Sequence, residues 1–153
     1  MRLIFDTNVL IDYCFKDRSD ISTDSLQMIY VATECGHTCL APVNIVNDFT
    51  YIINTILKRD KEIQDSSIRN QIIWGFFDKI KDVVGFVGCD ESDIFVAEKF
   101  RFDNCDMEDN LVVAAAMRCG ADYLITNDKD LNKKQLVPTK TPKQMIKILS
   151  KKK

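Results

Sequence analysis

Leu3-Ile4-Phe5 is a short apolar run closed by Asp6-Thr7-Asn8, the form of a buried strand ending in a carboxylate and two potential helix caps. Val9, Leu10, Tyr13 and Cys14 then recur at helical spacing. A second helix is expected from Ser22 or Thr23 through Leu26, Ile29, Tyr30 and Ala32, stopped by Gly36. Thr38 to Ala41 reads as a second strand, closed by Pro42. Ile45, Phe49, Ile52, Ile53, Ile56 and Leu57 form one helical stripe. After the charged break from Lys58 to Glu62, a further helix presents Ile68, Ile72, Ile73, Phe76, Phe77 and Ile80. Val83 to Val87 is a third strand, with Gly85 and Gly88 at its limits. Ile94, Phe95, Ala97 and Phe100 belong to a short helix behind Asp90 and Ser92. Another helix covers Glu108 to Arg118 and ends at Gly120. Tyr123 to Thr126 is a fourth strand and Gln135 to Val137 a short fifth, before Thr141-Pro142 opens a terminal helix.

Short apolar strands alternating with helices predict an α/β fold, a three-layer α/β/α sandwich around a mostly parallel sheet of four to five short strands. The pattern shows no linker or repeat, so residues 1–150 read as one domain followed by a Lys tail at 151–153. The composition agrees: of 153 residues 29% are charged and 46% hydrophobic, with 5 Gly and 3 Pro. Such a chain buries enough surface to fold without a metal or disulfide. No apolar run approaches the ~20 residues of a membrane span. The early acid at position 6 does not suit a signal peptide, and a cytoplasmic protein is expected. The six cysteines lie mostly in apolar segments, which fits a reducing compartment and a packing role, for Cys89 and Cys105 as for the others.

Charge adds an asymmetry. The segment from Lys129 to Lys153 holds nine of the 21 basic residues and one of the 23 acids. An acidic body with a basic end is compatible with a polyanionic ligand, but charge alone favours a solubilising terminus.

In parallel sheets, ligands bind beyond the carboxyl ends of the strands, near the point where strand order reverses. Asp6 ends the first strand. Asn127-Asp128 ends the fourth, and Asp130 follows. Asp106 and Asp109 open a helix three residues apart and share a face. Asp48 lies beside the apolar face of the striped helix. Four or more carboxylates gathered here without a basic neighbour would stay ionised only if their repulsion were neutralised. Oxygen-only donors suit Mg²⁺ or Mn²⁺, as one or two ions able to support water attack on a phosphodiester. Asp6, Asp106 and Asp128 are each also cap or turn candidates. Their joint placement at strand ends and a helix start is what raises them above that reading.

Three segments resemble the PIN-domain family, in particular the ribonuclease toxins of toxin–antitoxin pairs. Leu3 to Asp12 resembles the family's opening strand and "DTNVLID" turn. Asp106-Met107-Glu108-Asp109 with Leu111 to Ala116 resembles its "D-x-E-D" helix, and Ala121 to Leu131 its "ADYLVTxDxDF" strand and turn. Val137 to Pro142 resembles the closing strand and its proline-started helix.

The resemblance implies a metal-dependent endoribonuclease that hydrolyses RNA phosphodiester bonds, leaving a 5′-phosphate and a 3′-hydroxyl. Asp6, Asp48, Asp109 and Asp128 would be catalytic and would bind one or two Mg²⁺ or Mn²⁺ ions, with Asp106 and Asp130 as additional metal-binding acids. Asp48 stands where the family usually has Glu, one methylene longer. Thr7, Asn8 and Thr126 would orient the carboxylates. The basic end, with Lys133 and Lys134, would contact RNA phosphates. Partners implied are an antitoxin protein that inserts a basic group into the acidic cleft, and a second copy of the chain. Trp74, Phe76 and Phe77 are expected to be mostly core, with some left for that self-association. The rival reading is a catalytically inert PIN-like module for RNA binding or assembly.

Other chemistries fit less well. Asp6-Thr7-Asn8 lacks the second Asp, two residues on, of a haloacid-dehalogenase-type phosphatase. There is no glycine-rich phosphate loop. Ser-His-Asp chemistry would rest on His37, the single histidine, in a turn where solvent exposure is expected. Cys35, His37 and Cys39 alternate along one strand face, but zinc needs four ligands or three and a water, and no second cluster is present.

Overall fold

A computed structural model describes residues 1–15 and 20–150; the Lys tail at 151–153 lies outside the described residues. The apolar runs form strands β1 (Arg2–Phe5), β2 (Thr38–Pro42), β3 (Gly85–Val87), β4 (Tyr123–Ile125) and β5 (Thr139–Lys140). They make one sheet in the order β3-β2-β1-β4-β5, every neighbouring pair parallel. The sheet is therefore wholly parallel, within the three-layer architecture expected. Each parallel connection needs a crossover, and the crossovers here are helices.

The helices among the described residues are α1 (Thr7–Cys14), α2 (Asp20–Glu34), α3 (Ile45–Leu57), α4 (Ser66–Lys81), α5 (Glu91–Lys99), α6 (Met107–Arg118), α7 (Lys129–Lys134) and α8 (Pro142–Ser150). α1 packs on α2, α3 and α4, α5 on α6, and α2 on α8. Leu3, Ile4, Phe5, Leu124 and Ile125 have no exposed surface, as expected of strands covered on both faces. The α3 stripe buries Ile45, Phe49, Ile53 and Leu57, and α6 buries Val112 to Ala116.

The position of β1 sets the site. Its sequence successor β2 pairs on one side and β4, more than a hundred residues away, pairs on the other, so strand order reverses between β1 and β4. Phe5 lies opposite Ile125 in register. The ladder runs one step further: Asp6 N–H donates to the Ile125 carbonyl at 3.0 Å and Thr126 N–H to the Lys140 carbonyl at 3.1 Å. The residues that follow β1 and β4 thus open side by side onto the switch-point crevice.

Some local expectations fail. The fifth strand is Thr139–Lys140, not Gln135 to Val137. Asp128 caps an unforeseen six-residue helix, α7, and Gln135 ends it in the left-handed region at φ 52°, which no strand can accommodate. One buried apolar residue, Leu131, is too few to give α7 a periodic signature. Trp74 is 65% exposed instead of core; Phe76 and Phe77 are half-buried, Phe76 against Phe15 and Phe77 against Phe86. Cys89 and Cys105 are exposed in connections, so neither is a packing residue. Cys39 is buried and Cys35 exposed, while His37 is half-buried with Nδ1 3.4 Å from the N-terminal amine. Among the described residues this trio forms no metal cluster.

Candidate active site

Three of the acids are helix caps, and that local role is what aims them. Asp6 is the N-cap of α1, and its Oδ1 accepts from Thr7 N–H at 2.6 Å. Asp106 caps α6, with Oδ1 accepting from Glu108 and Asp109 N–H at 2.9 and 3.2 Å. Asp128 caps α7, with Oδ1 accepting from Asp130 and Leu131 N–H, both at 2.8 Å. A strand that ends where a helix begins needs an acceptor for the free N–H groups, and a carboxylate there also meets the positive end of the helix dipole. Capping a helix here does not keep a carboxylate from the crevice, since Asp6 and Asp128 both cap and line it.

A cleft of about 540 Å³ lies over this edge, lined by Asp6, Thr7, Asn8, Glu108, Asp109 and Asp128, with Asp12 and Asn127 at one side. Asp6, 7% exposed, is its most enclosed acid. Asp6 Oδ2 accepts from Thr126 Oγ1 at 2.5 Å and from the Asn8 side-chain amide. Thr126 Oγ1 in turn accepts from Asp128 N–H at 2.9 Å and from Asn8 Nδ2 at 3.0 Å. One buried hydroxyl therefore joins the two strand-end acids, and both Thr126 and Asn8 hydrogen-bond the Asp6 carboxylate. The Thr7 hydroxyl, also expected to orient an acid, is buried with no hydrogen-bond partner.

Desolvation first, and neighbouring carboxylate charge after it, raise the proton affinity of Asp6, Glu108 and Asp109. Burial pushes the Asp6 carboxyl up to about 6, against the Thr126 and Thr7 hydrogen bonds, and the charges of Asp109 and Asp128 add to the rise. Glu108 is pushed up to about 7, first by desolvation, then by a hydrogen bond with Asp48 and the charges of Asp48, Asp6 and Asp106. Asp109 is raised by desolvation and by Asp106 and Asp128, against the Asn104 hydrogen bond and the charge of Lys134.

The expected set divides on this geometry. Asp6, Asp109 and Asp128 share the cleft. Asp48 meets the cleft through Glu108. Asp106 acts on it by charge from the α6 cap, and Asp130 is exposed on the first turn of α7 outside the lining. Lys134 is not part of a separate basic face: its Nζ donates to Asn104 Oδ1 at 2.7 Å, and Asn104 Nδ2 donates to Asp109 Oδ2 at 3.2 Å. A basic group therefore does stand near the acids. Lys133 lines a second groove.

Glu108, Asp12 and Asn104 were not among the expected site residues. Glu108 had a signal, as the third member of Asp106-Met107-Glu108-Asp109. Asp12 accepts from Asn127 Nδ2 at 2.9 Å, an association formed across 115 positions that no local pattern announces. Asn104, buried before the α6 cap, looks like an ordinary turn residue in the sequence.

The donor set suits a hard divalent cation: the acids offer only oxygen, the proton affinities of Asp6, Glu108 and Asp109 are raised, and the buried Thr7 hydroxyl is unpartnered. Among the described residues, however, no three Asp, Glu, His or Cys side chains are already gathered at metal-ligand spacing. Both Asp6 oxygens are engaged by hydrogen bonds, whereas Asp128 uses only Oδ1 for its cap.

Comparison with known proteins agrees with this architecture. The family model described as PIN domain matches residues 2–130. The chain belongs to the PIN-domain family. Among solved structures, a chain from the crystal structure of VapBC2 from Rickettsia felis bound to a DNA fragment from its promoter superposes with a TM-score of 0.64. The two are 14% identical over 92% of this chain and 98% of that one, a likeness of fold. No curated protein matches. Among the described residues, no helix is long and apolar enough to cross a membrane.

Proposed function

We propose that this protein is a Mg²⁺- or Mn²⁺-dependent endoribonuclease, the toxin of a toxin–antitoxin pair. The observation that carries the reading is the crowding of Asp6, Glu108, Asp109 and Asp128 in one cleft at the switch point, with Asp6 and Glu108 pushed up to about 6 and 7. Carboxylates placed this way gain most from a divalent cation, and PIN-family membership supports a nuclease.

One or two such ions, held by Asp6, Asp109 and Asp128 with Asp48 and Glu108 beside them, would neutralise phosphate charge and activate water. The chain's own groups prepare the site. Thr126, Asn8 and the Thr7 N–H fix the Asp6 carboxylate, and Thr126 couples it to the Asp128 backbone. Asn104 fixes Asp109. Glu108, its proton affinity raised by desolvation and by Asp48 beside it, would give up a proton as a cation binds. Asp106 keeps the start of α6 in place.

The test is cleavage of a mixed RNA pool with Mn²⁺, with Mg²⁺ and with EDTA, by wild type, Asp6→Asn and Asp109→Asn. Metal-dependent cutting that falls at least about 100-fold in both variants is expected. Full activity in Asp6→Asn would falsify the assignment. A second reading, an inert PIN-like RNA-binding or assembly module, draws on the absence of three closely gathered ligands among the described residues and on the pairing of Asp48 with Glu108. That module would not cut under any metal.

The proposal includes an antitoxin partner, supported by the likeness to a chain of VapBC2, and a homodimer, supported by the exposed Trp74. Light scattering of the purified chain tests the homodimer, and a monomer up to 100 μM would exclude it.

A further inference from the structure

Beyond the acidic cleft, on the same carboxyl edge of the sheet, lies a second groove of about 340 Å³ between α7 and β5. Lys129, Lys133 and Lys140 line it, with Asn132, Thr139 and Asn127 among the residues between them. Asn127 also lines the acidic cleft, so the two spaces meet at one side chain. That side chain is fixed: its amide donates to Asp12 Oδ2 at 2.9 Å and Ser25 Oγ at 3.2 Å, and its backbone N–H donates to Asn8 Oδ1 at 2.9 Å. The groove wall is fixed as well, because Asn132 Nδ2 donates to the Thr126 and Asp128 carbonyls, both at 2.9 Å. None of the three lysines is ion-paired to a carboxylate among the described residues; Lys140 only lies 5.9 Å over the Tyr123 ring. Three positive charges thus face one groove with their charge uncompensated.

We propose that this groove holds backbone phosphates of single-stranded RNA next to the bond placed in the acidic cleft. The inference rests on the nuclease reading for what lies in the cleft, and assigns where the rest of the strand runs. Carboxylates repel a polyanion, so a strand that enters the cleft needs compensating charge alongside, and the lysine groove is the contiguous place that offers it. The lining includes no aromatic ring on which a base could stack, so the groove grips phosphate without reading sequence. Lys134, engaged with Asn104, is not part of this grip.

The experiment measures fluorescence anisotropy of two fluorescein-labelled 12-nucleotide RNAs of unrelated sequence in EDTA, where nothing is cut, from 25 to 200 mM KCl. Wild type is compared with the triple variant Lys129→Gln, Lys133→Gln, Lys140→Gln, and with the corresponding Lys→Arg triple. Lys58→Gln, Lys61→Gln, Lys99→Gln serves as a control of equal charge change elsewhere. Each single-strand phosphate contact contributes about 0.7 to the slope of log K against log salt, so the triple should flatten it by about 2. The flattening should be equal for both RNAs, restored by arginine and absent from the control. An unchanged slope, or equal flattening in the control, overturns the groove. A labelled poly-glutamate peptide that loses binding to the triple variant while RNA does not would reassign it to an acidic protein partner. Because binding is read without cleavage, a groove that behaves as expected in a protein that never cuts RNA would sink the nuclease reading alone.

Discussion

Replacing Asp6 by Asn should stabilise the metal-free protein at neutral pH and destroy its advantage in metal. Burial holds the Asp6 carboxyl at about 6, against 3.8 for the free group, although two hydrogen bonds oppose the rise. At about 1.4 kcal/mol per pH unit, the ionised form costs the folded state about 3 kcal/mol. Because the folded value lies above the unfolded one, this stability is present below pH 4 and is lost as pH rises through about 6. Asn carries no charge, but it can offer its carbonyl to only some of the donors that surround Asp6, a loss of about 1 kcal/mol at every pH. The variant should therefore gain on wild type by about 2 kcal/mol between pH 4.5 and pH 7, and exceed it in EDTA at pH 7 by about 1–2 kcal/mol. That corresponds to a Tm difference of about 2–8 °C for a chain of this size. Urea denaturation at pH 4.5, 6 and 7 measures the gap. With excess Mn²⁺ the order should reverse, because mass action stabilises only the chain that binds the ion. A gap that stays constant to within about 0.5 kcal/mol from pH 4.5 to 7 would refute the raised proton affinity, and with it the electrostatic case for a cation.

Thr126→Val leaves the Asp128 N–H without its acceptor and removes a donor from Asp6, so urea denaturation should show a loss of about 1–3 kcal/mol; no loss would mean that the hydroxyl does not join the two acids. Glu108→Gln should weaken Mn²⁺ binding about 10–100-fold and reduce the protons released on binding, read by calorimetry in two buffers of different ionisation enthalpy. Equal affinity and equal release would place Glu108 outside the site. Phe49→Ala empties a fully packed position of α3 and should lower stability by about 3–5 kcal/mol with the denaturant slope unchanged.

Strand ends and helix starts were readable along the chain because both are signalled within a few residues. Leu3-Ile4-Phe5 is apolar throughout since both faces of β1 are covered, and the acid that follows caps α1. The same local signals marked Asp106 before α6 and Asp128 after β4, and the α3 stripe followed from helical periodicity alone. These features depend on propensity and capping, which act between near neighbours. Strand order depends on pairing between distant segments. It places β4 beside β1, and so brings the Thr126 hydroxyl to Asp6 across 120 positions. The Glu108–Asp48 pair, the hold of Asp12 on Asn127 and the turn of Lys134 toward Asn104 all arise in the same way. Even the short α7 depends on packing, since a six-residue helix with one buried leucine has little stability of its own. The chain's pattern names the acids; burial and long-range pairing set how close they stand, which of them have a raised proton affinity, and which lysines are left free to meet an anion.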